Sequence, residues 1–388
     1  MMNYEIRTVT NEKIRHQIYD KVDYFIQKER LKDIFSTGHP DILRVRKIAS
    51  KYDLLKLDLP REYGGMGADV VTMANIYFRL GKISANAREI VGMGHGRLLL
   101  DRWDEDRQRW IDRIVSGESF VGIGITEDGA GSDVRKIKSS IRHLDGISSI
   151  LNVNKDYISR IYEADIFVFF VRNVEDGAIS CVVVDDLNSI DCLRVSRQPM
   201  GLDGWSFGGL VIRDLKIPRS NVLHGEGKGL DVLKRHFAYW RILVSMLCLG
   251  SAYQAIEETI AFCKERPIFG GRLSDLQSVG HRLAESVTYI EAAKSLCIMA
   301  AKAIDESSNN ALKLSSMAKW YSTEVAYKCL HMCVRLQGAR GYEFNNSTRR
   351  RLLDIEGFLI ADGSNDLMKS IIYKELVGKD IYNKTLLR

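Results

Sequence analysis

The stretch "GITEDGAGSD", residues 124–133, sets two hydroxyls six positions apart, Thr126 and Ser132, among three glycines and an alanine. Small residues let backbone N–H groups come close to a ligand, and the two hydroxyls add further donors. Such a loop suits a flat heteroaromatic ring rich in carbonyl and nitrogen acceptors, or a phosphate. The same residues also make a plain turn closed by a Ser/Thr side chain, and composition alone leaves both readings open. The stretch is not a P-loop, because no Gly-Lys-Ser/Thr follows, and it is not G-x-G-x-x-G ahead of a helix.

The elements that must hold this loop change character twice along the 388 residues. Residues 1–115 place apolar side chains at three- and four-residue intervals, as in "KIRHQIYDKVDYFIQKERL" and "ADVVTMANIYFRLGKIS", which predicts an N-terminal helical domain. "LPREYGGMG" interrupts it with a loop. Over 116–225 the texture becomes short β-branched and aromatic runs ("SFVGIGIT", "DIFVFFVRNV", "AISCVVVDD", "LRVSRQP", "GGLVIRDLKIP"), which predicts a middle β domain. The helical period then returns over 226–388, with segments near 228–264, 274–304, 310–337 and 365–380 that suit a four-helix bundle. The fold class expected is α+β, mostly α, and the loop of interest ends the first strand of the β domain.

Composition narrows the function. The formal charge of +6 is compatible with an acidic or phosphate-bearing partner but too dispersed to imply nucleic acid. The densest basic run, Arg349 to Arg351, reads as a solvated helix start or as a site for a phosphate or acidic protein. Seven scattered cysteines form no C-x-x-C pair, which points to reduced, mostly buried thiols. The N-terminus lacks an apolar signal core, and the longest apolar stretch, "ILVSMLCLGSAYQAI", is too short and too polar to span a bilayer. A cytoplasmic protein without a membrane partner is expected.

Six segments, in order, carry a resemblance. "LDLPREYGGMG", "GITEDGAGSD", "ISRIYEADIFVFFVR", "QPMGLDGWSFGGLVIRDLKIPRSNVLHGEGKG", "RPIFGGRLSDLQ" and "LQGARGYEFNNSTRRRLLDIEGFLIADGSND" resemble the successive motifs of the acyl-CoA dehydrogenase flavoproteins. The resemblance spans nearly the whole chain and implies that family's fold, FAD as cofactor, and a shared site in a homodimer or homotetramer. It places Ile125 (by backbone), Thr126 and Ser132 at the edge of the isoalloxazine ring, with Tyr157 and Ser159 packing on the ring and bonding to N5. Arg266, Phe269 and Gln277 match the residues that reach the FAD of the neighbouring subunit, and Ser364 and Asp366 match further flavin contacts.

Family enzymes take a proton α to a thioester carbonyl while hydride leaves the β carbon for the flavin, so they need a carboxylate opposite the ring. The motif position falls on Asp362, where most members carry Glu. The other family position for the base directly precedes an arginine, here Arg241, and is filled by Trp240; this pair is expected at the substrate instead. Asp is shorter than Glu by roughly 1.5 Å, and misplacement of about 1 Å can cost on the order of 10²-fold in rate. The implied substrate is therefore an acyl thioester on CoA or on an acidic acyl carrier protein, the latter in secondary-metabolite pathways that make polyketide or nonribosomal-peptide extender units. Electrons would pass to a flavoprotein or to O₂. Because nitroalkane oxidases of a related branch also use Asp there, the alternative is a flavin oxidase of a free small molecule with Asp362 as base.

Overall fold

The computed structural model describes residues 11–36, 39–101 and 104–378. Five helices open the chain: α1 (Glu12–Lys28), α2 (Leu31–Ser36), α3 (Ile42–Ser50), α4 (Val70–Ile83) and α5 (Glu105–Val115). Side-chain caps start most of them. Asn11 accepts from the Lys13 amide, Asp41 from Arg44, Asp69 from Thr72 and Asp104 from Arg107. On α1 the spacing of Ile18, Val22 and Phe25 puts all three on the buried face. Each such burial stabilises by about 1.5–3 kcal/mol.

The strands β1 (Val121–Gly124), β2 (Ser140–His143), β3 (Ser148–Ser159), β4 (Ile166–Asn173), β5 (Ile179–Val184), β6 (Leu193–Ser196), β7 (Phe207–Pro218) and β8 (Val222–Leu223) form one sheet ordered β6-β7-β3-β2-β4-β5-β8, with β1 parallel to β4. β4 and β5 are buried almost throughout and read as apolar runs. The longest strand outside the expected runs is β3. Its polar string Asn152, Asn154, Lys155 and Asp156 hides a strand whose pairing with β7 shifts register between Lys155 and Ile158.

Helix α6 (Gly229–Glu265) leads to a hairpin of β9 (Pro267–Ile268) and β10 (Gly271–Arg272). Then come α7 (Gln277–Asp305), α8 (Ala311–Gln337), the short α9 (Ala339–Tyr342), α10 (Ser347–Ile360) and α11 (Asn365–Val377). The fold is the expected one of N-terminal helices, middle sheet and C-terminal helical bundle. Gly81 of α4 and Gly250 of α6 let these two helices touch backbone to backbone: a Cβ on either would lie 2.0 Å from a carbonyl oxygen of the other helix. Among the described residues no helix is long and apolar enough to cross a membrane. Six of the seven cysteines are buried and Cys192 is partly so.

Of the three arginines at the start of α10, expected as a solvated helix start or as an anion site, Arg351 departs from the solvated reading. Arg351 is buried, and its guanidinium donates to the carbonyls of Gly81, Lys82 and Ile83, each at 3.1 Å. It closes the C-terminal end of α4, where unpaired carbonyls and the helix dipole favour a cation. Arg350 donates to the Ser36 carbonyl at 2.6 Å, and Arg349 lies over the Phe344 ring.

Candidate active site

A cleft of about 700 Å³ lies where the end of β1, the end of β3, the middle of α6 and the α10–α11 junction meet. Its first wall is the 125–133 loop. Glu127 and Ala130 exchange two backbone hydrogen bonds, which fold the loop into a tight turn with Gly129 in the left-handed region. Beneath it, Lys155 of β3 is fully buried and donates to the Ile125 carbonyl at 2.9 Å and to Glu127 Oε1 at 2.8 Å. Glu127 also accepts the amides of Lys138 (2.5 Å) and Ser139 (2.9 Å), and these donors hold its carboxyl below the usual glutamate value despite burial. The loop is thus pinned from below by an ion pair, with Thr126, Gly131 and Ser132 lining the cleft.

Thr126 and Ser132 both line the cleft, and neither hydroxyl is engaged by another described residue. Gly131 lines it too, and a Cβ there would meet nothing within 4 Å. At the bulge ending β3, Tyr157 turns outward with φ 53° and half its surface exposed on the cleft rim. Asp156 fixes that turn, accepting from the Tyr157 amide at 2.8 Å and from both ends of Arg197, whose guanidinium covers the Tyr157 ring. Ser159 accepts from Arg160 at 2.7 Å, which leaves its own proton free to donate. Unengaged hydroxyls, an open small-residue floor and an exposed aromatic ring fit a flat flavin ring with acceptors along its edge.

Asp362 closes the opposite wall. It sits just past the C-terminus of α10 with φ 59°, a conformation that aspartate tolerates better than most residues. Arg241 Nε donates to the Asp362 carbonyl at 3.1 Å, and Lys319 Nζ donates to the Gly363 carbonyl at 2.7 Å and to Asn365 Oδ1 at 2.9 Å. Two cations therefore hold the backbone of this turn at a helix C-terminus, where the dipole favours them. Burial pushes the Asp362 carboxyl above its ordinary 3.8, against the opposing pull of Lys319, Arg160, Arg88 and Arg241. The result is a carboxylate more basic than usual, as a proton acceptor needs. The other carboxylate among the described lining residues is that of Glu356 on α10.

Nine residues expected from the sequence share this cleft: Ile125, Thr126, Ser132, Tyr157, Ser159, Trp240, Arg241, Asp362 and Ser364. Ser364 also caps α11, accepting from the Leu367 amide at 3.2 Å. Trp240 is buried against the His95 ring, 4.6 Å between centroids. Arg266, Phe269, Gln277 and Asp366 are not brought to the cleft. The first three lie on the exposed β9–β10 hairpin and the start of α7, with Phe269 94 % exposed at the hairpin tip. Asp366 is exposed in the first turn of α11, paired with Lys369 at 3.2 Å.

Sequence reasoning missed a second polar set in the cleft, contributed by "ANAREIVGMGHG" and by the residue after Ser159. Arg160 pairs with buried Glu89, whose other oxygen lies 3.7 Å from His95 Nε2, and His95 Nδ1 lies 2.9 Å from His236 Nε2. Burial holds both imidazoles well below their usual pKa, hence neutral. Arg88 lines the cleft between the rings of Trp205 and Phe358. The one available signal was an Arg-Glu pair and a His embedded among glycines and apolar residues, a place where charges are buried only with a purpose.

A hydroxyl-bearing loop faces a carboxylate across one cleft, on helical, sheet and bundle layers in that order, an arrangement that fits a flavin-dependent dehydrogenase. Comparison with known proteins agrees along the chain: residues 11–118 match the acyl-CoA dehydrogenase N-terminal domain, 122–215 the middle domain and 227–377 the C-terminal domain. The chain belongs to the acyl-CoA dehydrogenase family, FAD-dependent oxidoreductases that act on CH–CH groups. It is 27% identical over 376 residues to the caffeyl-CoA reductase–Etf complex subunit CarC of Acetobacterium woodii, covering 95% of this chain and 98% of that one. It is 28% identical over 339 residues to an acyl-CoA dehydrogenase of Bacillus subtilis, covering 86% and 89%. The crystal structure of acyl-CoA dehydrogenase from Geobacillus kaustophilus superposes with a TM-score of 0.84 at 26% identity, covering 96% of this chain and all of that one.

Proposed function

We propose that this chain dehydrogenates an acyl thioester carried on an acyl carrier protein or on CoA, with Asp362 as the base. The observation that carries this reading is the placement of Asp362, made more basic by burial, across the cleft from Thr126, Ser132, Tyr157 and Ser159. Bound FAD supplies the acceptor for the β-hydride. Thr126 and Ser132 would donate to the ring edge, and Tyr157 would cover its face. Arg241 and Lys319 hold the Asp362 turn still, so that its carboxylate can take the α-proton from the far side of the substrate. Trp240, Phe237 and Trp205 exclude water from the same space.

The carrier-protein substrate, in secondary metabolism, is supported by the mildly basic chain, since carrier proteins are acidic, and by apolar Ala238 and Trp240 where polar contacts to pantetheine are usual. The exposed Arg266, Phe269 and Gln277, away from their own cleft, suit a role in the FAD site of a second copy in a homodimer or homotetramer. The name of the Acetobacterium relative supports an electron-transferring flavoprotein as redox partner.

The test is anaerobic flavin bleaching by acyl groups loaded on CoA, on pantetheine and on a carrier protein. Bleaching by the carrier-bound acyl group above the CoA ester is expected. Bleaching by nitroalkanes but by no thioester, with fast reoxidation by O₂, would replace this reading with the free-substrate oxidase.

A further inference from the structure

Three hydroxyls line the space that fits the flavin ring, those of Thr126, Ser132 and Ser159. Among the described residues, one of the three, Ser159, takes a hydrogen bond from a cation: Arg160 Nη1 donates to Ser159 Oγ at 2.7 Å. The serine proton is then left to donate into the cleft.

The cation is held firmly. Arg160 is 3 % exposed, with its guanidinium 5.0 Å from the Trp205 centroid and 5.7 Å from that of Phe120, two rings that stack on each other at 5.1 Å. Its backbone sits at φ 72°, in the left-handed region that a long side chain seldom adopts, and its amide donates to the Ser206 carbonyl at 2.6 Å. Strain of this kind persists where the surrounding structure imposes it, and it gathers at functional sites.

The ion pair that Arg160 makes is also oriented. Arg160 lines the cleft, whereas its fully buried partner Glu89 does not and lies behind it beside His95. The cleft therefore meets the positive end of the pair. After burial and Lys319, Arg160 is the next group that acts on the Asp362 carboxyl, so the same cation reaches the reacting space.

In the dehydrogenation proposed above, the α-proton goes to Asp362 and the β-hydride, with its two electrons, goes to the ring. The acyl chain gains a double bond and the ring gains one negative charge. A fixed cation in a dry wall stabilises charge where it develops, and a hydroxyl that accepts from a cation donates more strongly in turn. We infer that Arg160 is a positioning residue for hydride transfer, which holds the Ser159 hydroxyl as a donor to the flavin and, with Glu89 behind it, raises the flavin's reduction potential. This rests on the placement of the ring between the 125–133 loop and Ser159 in the reading above.

The midpoint potential of the FAD-loaded protein is read by anaerobic dye-coupled titration, without substrate, in the wild type, Arg160→Gln, Glu89→Gln, Arg160→Lys and the double variant Arg160→Gln/Glu89→Gln. Loss of the cation is expected to shift the two-electron equilibrium about tenfold towards the oxidised ring, ~30 mV down. Glu89→Gln leaves the cation without its anion and is expected to shift the equilibrium about as far the other way, ~30 mV up. Arg160→Lys keeps the charge and part of the potential. A role confined to holding the fold moves both single variants the same way or not at all, because both break one pair, and either result overturns the inference. If Arg160→Gln does not retain FAD, the double variant decides, since it leaves neither charge buried alone. A double-variant potential below wild type supports the inference, and one at or above wild type overturns it. Loss of FAD from every variant assigns the pair to the fold alone and overturns it too. Split potentials with no bleaching by any thioester would keep this inference and remove the substrate reading above. Bleaching by thioesters with potentials that do not split would do the reverse.

Discussion

Replacing Asp362 by asparagine is expected to move activity and stability in different directions, and the structure says why. Residue 362 has φ 59°, in the left-handed region, where asparagine is at least as comfortable as aspartate. Alanine there would carry a backbone penalty of ~1 kcal/mol or more and confuse the comparison. The contact with Arg241 goes to the backbone carbonyl, so it survives the change. Burial raises the Asp362 pKa, which makes the ionised carboxyl the disfavoured form in the fold. A group whose folded pKa is raised contributes stability at low pH and loses it as pH rises through the folded value. Asparagine never ionises, so Asp362→Asn is expected to hold FAD normally and to melt no lower than wild type at neutral pH. Its rate of flavin reduction should fall by roughly 10²–10⁴-fold, the usual contribution of a positioned base, which is ~3–6 kcal/mol in the barrier. In the wild type the same rate should rise with pH, with its acid limb above that of an ordinary aspartate. Anaerobic stopped-flow absorbance, thermal melting and flavin content read the three quantities. Bleaching within tenfold of wild type in a variant that retains FAD would refute the assignment of Asp362 as base.

Lys155→Met removes the support under the 125–133 loop and leaves Glu127 buried with amide donors but no counter-charge. Breaking a buried pair this way costs about 3–5 kcal/mol, so the melting temperature and FAD affinity should fall together, and unchanged FAD affinity would argue that the loop does not hold the ring. Asp354, at about 7 in the fold, keeps its proton where the unfolded chain has released it, so it contributes stability below its ordinary 3.8 that is lost as pH rises toward 7. Asp354→Asn should therefore flatten the decline in melting temperature between about pH 4 and pH 7, and a decline as steep as wild type would count against this placement.

The parts of the fold legible in the sequence were those written in local pattern. Period-3.6 runs marked the helices, apolar runs such as "DIFVFFVRNV" marked buried strands, and the spacing of Thr126 and Ser132 marked a ligand loop. Asp362 was legible only through its neighbours in a motif, because a lone Asp-Gly reads as a turn. What stayed hidden depends on pairs far apart in the chain. Most of β3 lay outside the expected strand runs, since its buried lysine makes sense only beside Glu127, 28 residues away. Arg351 looked solvated because its acceptors end a helix 268 to 270 residues earlier. Arg88, His95 and Arg160 carry no periodic signal, and only the fold brings them to one cleft, with Glu89 buried beside Arg160.

The grip of Arg351 on the end of α4 has a consequence for the order of events during synthesis. The segment 347–360 both closes α4 and, at its far end, carries the turn of Asp362. A chain made only as far as α8 has an open end on an early helix and lacks the Asp362 wall of its cleft. The late segment supplies both at one stroke, so the cleft is walled in only as the first helical layer is locked to the last.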